Sequence, residues 1–411
     1  MEENIIQEYT TEKTKKTGFW KGFFCATAIC LTAAILAFGV TMFVKMRTLK
    51  TTSTDLVSQD LEVQTKLGKL EMYIRGYYLD EIDENQMEDY LYYGLVAGLG
   101  DPYAAYYNEE EMQSMMDSSS GNYCGIGAVF SQNLVTGVIT VTRVYEGCPS
   151  YEAGLLPEDI LYKVDGEEIT GQDLTNVVTK IKGEEDSEVT LTMIRGEEEL
   201  DFTMKRQMIE VPTIEYELMD DQIGYIMISE FDGVTDEQFV AALTDLQGQG
   251  MKSLVIDLRN NGGGSVESVC NIADALLPEG AIVYTEYKGQ DREARNSDSD
   301  CVELPMAVLI NGSSASASEI LSGALQDYEK AVIVGTQSYG KGIVQSVFDL
   351  QDGTALKLTT AKYYTPNGND IHGVGIIPDV EIDLPEELKT EVTLSLEEDV
   401  QLQKAIEVLQ Q

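Results

Sequence analysis

The chain has 411 residues and carries 28 Lys+Arg against 71 Asp+Glu, a formal net charge of −43. So acidic a chain excludes nucleic acid as a natural partner, because phosphate binding needs clustered cations that release counterions, and it opposes docking on an anionic lipid face. The single histidine excludes multi-histidine metal sites, the H-E-x-x-H zinc proteases among them, and the length predicts two or three domains of about 100–200 residues each.

Residues 22–44 carry no charge and are flanked by Lys13, Lys15, Lys16 and Lys21 on one side and Lys45, Arg47 and Lys50 on the other. At about 1.5 Å per residue the run spans about 34 Å, enough for a bilayer core of ~30 Å. It exceeds the apolar core of a cleavable signal peptide and lacks a clear small-x-small site, so an uncleaved anchor is the preferred reading. Positive charge is nearly balanced across it, so the orientation rests on the short preceding tail: residues 1–21 are placed in the cytoplasm and the large domain outside. Residues 45–117 read as a stalk and a helical segment, with Leu67, Leu70, Ile74, Tyr77 and Tyr78 at helical spacing. Asp101-Pro102 breaks that pattern, and Ser118 to Asn122 reads as a linker.

From Tyr123 to Arg206 short strands are expected, with an amphipathic helix at residues 174–181 and a strand at residues 189–194. From about residue 210 strands alternate with helices. Residues 253–258, 306–310 and 331–335 are buried strands, and a helix at residues 316–328 between the last two makes a βαβ unit and so a parallel sheet. Of the cysteines, Cys25 and Cys30 fall in the membrane run; Cys124, Cys148, Cys270 and Cys301 form no C-x-x-C. A Cys124–Cys148 disulfide and free buried thiols both remain open.

Three segments can carry chemistry. Asn261-Gly262-Gly263-Gly264-Ser265 follows a buried strand but lacks the lysine of a phosphate loop and the last glycine of a dinucleotide loop. It is either a plain turn or a loop with exposed backbone N–H groups. Ser316-Ala317-Ser318-Glu319 fits a capping box; it also fits a nucleophilic serine at a helix N-terminus, where free N–H groups stabilise an oxyanion. Its base can be His372 in a Ser-His-Asp arrangement, or Lys341 within Gly340-Lys341-Gly342. A buried ammonium loses solvation, its pKa falls, and the neutral amine accepts the serine proton; the alternative is an ordinary surface lysine. If a strand begins near Lys341, then Lys341, Ile343 and Gln345 share one face, and Gln345 can orient Lys341.

Together these segments resemble the C-terminal processing (tail-specific) serine peptidases, which carry a Ser–Lys dyad. The resemblance runs from about residue 60 to the end, through Gly98-Leu99-Gly100-Asp101-Pro102-Tyr103, Tyr123-Cys124-Gly125-Ile126-Gly127, Asp257-Leu258-Arg259-Asn260-Asn261-Gly262-Gly263-Gly264, Ser314-Ala315-Ser316-Ala317-Ser318-Glu319, Gly340-Lys341-Gly342-Ile343-Val344-Gln345 and the stretch from Tyr364 to Asp379. It implies Ser316 as nucleophile, Lys341 as general base, Gln345 as its positioning partner, and an oxyanion hole from the N–H of Ala317 and of a glycine in 262–264, Gly263 being chosen. His372 falls where the family often has Gln, which argues against a catalytic role for it.

The implied fold class is mixed α/β: a cytoplasmic tail (1–21), a transmembrane helix (22–44), a stalk and helical segment (45–117), a PDZ domain (118–208), an α/β peptidase core of the ClpP/crotonase-like type (209–383) and a C-terminal helical segment (384–411). Gly125, Ile126, Gly127 and Ala128 would form the PDZ carboxylate-binding loop, holding a substrate C-terminus while its chain adds to the sheet edge. The expectation is thus a single-pass plasma-membrane serine endopeptidase with its catalytic domain extracytoplasmic, acting on proteins or peptides with a free C-terminus. No metal or organic cofactor is expected, and the helical segment is that which mediates homodimerisation in relatives. An inactive PDZ-bearing binding protein is the competing reading, and the intact Ser316, Lys341 and Gln345 argue against it.

Overall fold

A computed structural model describes residues 61–389 and 394–411. The anchor expected at residues 22–44, with its tail and the start of the stalk, lies outside the described residues. Among the described residues no helix is long and apolar enough to cross a membrane.

The chain divides into two units, ending and starting at Glu88 and Asp89. In the first, residues 61–77 are helical and Arg75 pairs with Glu84 across an exposed turn. Leu70, Tyr77 and Leu79 are exposed.

The second unit is built on a six-stranded sheet. Its strands Ile223–Ile228, Ser253–Asp257, Met306–Ile310, Ala331–Gly335 and Val380–Glu381 run parallel, and Ile214–Leu218 closes one edge antiparallel. The second and third of these strands are buried at every position, as continuous apolar runs in a sheet covered on both faces require. The helices Thr235–Gly248, Val266–Asp274 and Ala317–Asp327 supply one core, around Phe239, Leu246, Ile256, Val308 and Leu321. The C-terminal helix Val400–Leu409 covers the other face, with Leu402 and Ala405 against Val255, Leu309 and Val334. The βαβ unit expected from the sequence is present.

A second sheet joins Gly280–Tyr287, Glu293–Ser297, Ile343–Asp349 and the long strand Ala355–Tyr364. Its edge strand, Ala105–Tyr107, comes from the segment expected to be helical. The Asp101-Pro102 turn releases an Ala-Tyr-Tyr stretch whose central Tyr106 is buried, an alternation that suits a strand.

Residues 123–206 form the expected β-rich domain. Strands Ala128–Gln132, Ile139–Val144, Ile160–Val164, Glu188–Arg195 and Glu198–Lys205 make an antiparallel sheet in that order. The helix Leu174–Ile181 buries Val177 and Ile181 in the same core. Ser118 to Asn122 is not a linker. Ser118–Ser120 finish the helix Glu109–Ser120, which starts in an Asn108/Glu111 capping box, and Gly121 ends it in the left-handed region at φ 68°. The serines stay helical because Ser118 and Ser120 Oγ donate back to the carbonyls of Ser114 and Asp117. Asn122 opens a strand that pairs with Gln207–Glu210. Cys124, Cys148, Cys270 and Cys301 are all free thiols, so the Cys124–Cys148 bridge is not formed.

Candidate active site

The parallel strands deliver their following loops to one end of the sheet, the place where open α/β sheets hold their ligands. The loop after Ser253–Asp257 and the loop after Met306–Ile310 interlock through backbone groups. Ala315 N–H and Ser318 Oγ both donate to the Asn261 carbonyl at 3.0 Å, and Ser314 Oγ donates to the Leu258 carbonyl at 2.7 Å. Asn261, fully buried, donates through Nδ2 to the Ile228 carbonyl and accepts the Gly263 N–H on Oδ1, both at 2.8 Å.

These contacts separate three neighbouring serines. Ser314 and Ser318 are fully buried with hydroxyls committed to carbonyls, whereas Ser316 retains 9 % exposure. Ser316 alone of the three has positive φ, 55° with ψ −110°. A side chain pays strain there, and such positions cluster at active sites. Gly263 lies so close that a Cβ on it would stand 2.7 Å from Ser316 Cβ and from the Ala315 carbonyl. Ala317 is the first residue of the helix, so its N–H has no intrahelical acceptor.

Glu319 joins this loop to the one that carries Lys341. Its carboxylate is fully buried. Oε2 accepts the N–H of Ser316 and of Lys341, both at 2.8 Å; Oε1 accepts Gly340 N–H at 2.7 Å and Ser338 Oγ at 2.6 Å. The backbone nitrogens of Ser316 and Lys341, bound to one oxygen, can be no farther apart than twice 2.8 Å. Ser338 Oγ in turn accepts the Ile376 N–H at 2.6 Å. The capping box expected at Ser316 is present in its carboxylate half, but the carboxylate also serves the neighbouring loop.

Lys341 is half-buried, and its Nζ lies 5.0 Å from the centre of the Tyr103 ring. Burial lowers its pKa below the ordinary lysine value; the Lys357 charge adds to this and the Glu319 carboxylate opposes it.

Two local features bear on the roles expected of Gln345 and Gly263. The strand after Lys341 begins at Ile343, so Lys341 lies before it; opposite Val344 and Gln345 the ladder slips by one residue, and the extra residue, Thr360, is on the partner strand Ala355–Tyr364. The His372 backbone crosses Gly342, where a Cβ would meet His372 N at 2.4 Å. Gln345 Nε2 is buried without a hydrogen-bond partner. Secondly, the Gly263 N–H is taken by Asn261 Oδ1 at 2.8 Å, and the other N–H groups of the same glycine run are those of Gly262 and Gly264. His372 is exposed.

In the β-rich domain, Gly125 to Ala128 leads into the edge strand Ala128–Gln132. The carbonyls of Ile126 and Gly127 are held by Ser150 N–H, Ser150 Oγ and Tyr145 N–H. Gln132 ties the edge strand to the neighbouring helix, accepting Leu174 N–H and donating to the Gln172 carbonyl. Asn261, Glu319, Ser338 and Tyr103 were not assigned these roles from the sequence. The S-x-x-E spacing marks Glu319, but only as a cap.

Peptidase family S41 matches residues 222–382 and the PDZ domain family matches residues 140–195. A Staphylococcus aureus (strain COL) protein described as "Probable CtpA-like serine protease" is 34% identical over 389 residues, 93% of this chain and 76% of that protein. Among solved structures, the photosystem II D1 C-terminal processing protease is 29% identical, covering 77% of this chain and 86% of that one, with a TM-score of 0.46. An S41 protease of Bacteroides fragilis shares the fold at 17% identity, covering 81% and 92% of the two chains, with a TM-score of 0.50. The chain therefore belongs to peptidase family S41 and is a serine peptidase of the C-terminal processing type with a PDZ domain.

Proposed function

We propose that the chain is a membrane-anchored endopeptidase that cuts proteins near their C-termini through Ser316 and Lys341. The observation that carries this reading is the shared Glu319 oxygen, which keeps a strained serine and a half-buried lysine on adjacent loops. Neutral Lys341 Nζ takes the Ser316 hydroxyl proton as Oγ bonds to the scissile carbonyl carbon. The Ala317 N–H, with one from Gly262 or Gly264, receives the oxyanion. Lys341 then returns the proton to the leaving amine as the C–N bond breaks. Water, deprotonated by Lys341, attacks the acyl carbon and releases Ser316 with its proton restored. Gln345, whose buried Nε2 has no hydrogen-bond partner, is the residue that orients the Lys341 amine. These steps require no metal or cofactor.

The PDZ domain supplies tail recognition: a free carboxylate docks on the Gly125–Ala128 loop, and the peptide adds to the Ala128–Gln132 edge. Residues 22–44 anchor the chain in the plasma membrane with the peptidase outside, and the exposed apolar residues of the helical segment pair two copies.

The test is hydrolysis of a peptide library by the purified full-length chain and its variants. Ser316→Ala and Lys341→Ala are each expected to abolish cleavage while leaving thermal unfolding unchanged. Full activity in Lys341→Ala overturns the dyad, and no cleavage by the unmodified chain favours an inactive PDZ-bearing binding protein. Resistance of the chain to alkaline extraction from membranes tests the anchor.

A further inference from the structure

We propose that Glu319 is the positioning residue of the active site, a buried carboxylate that sets the separation of nucleophile and base by binding both of their backbones; this rests on the Ser316–Lys341 reading. A helix cap requires one acceptor for its own N-terminal amides. Glu319 instead receives four donors, and three of them belong to residues 338–341, about twenty positions along the chain. Each carboxylate oxygen takes two, so the carboxylate is saturated.

The arrangement needs a carboxylate and no substitute. In glutamine one of the two oxygens becomes an NH2 group, and either amide orientation sets that group against two donors. Aspartate, shorter by one methylene, cannot reach both loops from the same helix position. The charge is also set toward the base: Glu319, Lys357 and the Tyr103 ring face Lys341 from three different elements, and Glu319 is the one that favours the ammonium.

Glu319→Gln therefore has two separable effects. Misplacing serine and lysine lowers kcat by about 100-fold and leaves KM nearly unchanged, because Glu319 touches no substrate. Losing the negative charge lowers the pKa of Lys341, so the acid limb of the kcat profile moves to lower pH, a shift that a purely structural role would not produce.

The experiment measures kcat, KM and the pH profile of full-length Glu319→Gln beside Ser316→Ala, with thermal unfolding as the check on folding. A large loss of kcat with the limb displaced downward supports the proposal. A kcat within threefold of the unmodified chain, or an equal loss with the limb unmoved, overturns it. If Glu319→Gln does not fold, Ser338→Ala, which removes one donor and keeps the carboxylate, decides: a tenfold fall in kcat supports the tether and an unchanged kcat overturns it. Activity surviving in Ser316→Ala would instead mean that the dyad reading itself has failed.

Discussion

Lys341 Nζ stands 5.0 Å from the centre of the Tyr103 ring. The ring belongs to the loop after Gly98-Leu99-Gly100, so an element preceding the PDZ domain in the chain helps to cover the base of the peptidase. Tyr103 in turn neighbours Tyr339, two residues before Lys341.

That cover sets the pH dependence. Burial lowers the Lys341 pKa, and only the neutral amine accepts a proton. Activity should rise with pH through the depressed pKa. Tyr103→Ala lets water reach the ammonium, so the pKa moves back up and the acid limb of kcat moves to higher pH; Tyr103→Phe keeps the ring and should hold the limb near its original place. Rate profiles from pH 5 to 10 check this. An alanine variant with the limb displaced downward would show that the ring does not desolvate the base.

Gly263 makes a steric prediction. Its φ is 103°, and a Cβ would meet the Ala315 carbonyl and Ser316 Cβ at 2.7 Å. Neither can retreat, because Ala315 N–H is fixed to Asn261 and Ser316 N–H to Glu319. Gly263→Ala should lower kcat/KM by about 100-fold or more, since an ångström of misplacement costs that much. Steady-state kinetics on the folded variant measures it.

The sheet strands were legible because burial on both faces writes unbroken apolar runs: residues 306–310 and 331–335 read from the sequence are strands with those bounds. The helix Leu174–Ile181 was legible from its apolar face. The serine and lysine loops were legible as motifs. What joins them was not, because Glu319 bonds residues about twenty positions away, and local spacing reports only its own helix turn. The start of the strand at Ile343 was not legible for a similar reason, because its ladder is set by pairing with Ala355–Tyr364. Ser118–Ser120 looked like a linker by composition, yet their hydroxyls bond back into the helix.

Arg259 gives a stability prediction. It follows the strand Ser253–Asp257, and its guanidinium contacts Asp257 at 2.6 Å and Asp399 at 2.8 Å, all three largely buried. Asp399 also caps the C-terminal helix through Leu402 N–H, so the pair fastens that helix to the start of the Asn261 loop. Arg259→Met strands two buried carboxylates and should cost about 3–5 kcal/mol. Denaturant unfolding measures the loss; a change under 1 kcal/mol would mean that the carboxylates find other partners.

The PDZ reading predicts sensitivity to the substrate terminus. A carboxylate accepting backbone amides is worth about 1.5–3 kcal/mol, or roughly tenfold or more in affinity. Peptides amidated at the C-terminus should show KM raised by about that factor with kcat little changed, and equal KM values for acid and amide would remove the Gly125–Ala128 loop from recognition.

Asp232 lies beside the loop that leads to the active site and is buried; a Cβ on Gly121 would approach its side chain. Burial, aided by the Glu230 charge, pushes its pKa up to about 7 from 3.8. Between those values the folded chain holds a proton that the unfolded chain has released, so stability is greatest below the unfolded value and falls as pH rises through the folded one. Asp232→Asn cannot ionise and removes this dependence. Unfolding free energies at pH 5 and pH 8 should therefore converge on the variant's side: the unmodified chain loses on the order of 2–3 kcal/mol more than Asp232→Asn over the interval. Equal losses in the two proteins would place the Asp232 carboxyl in contact with water throughout.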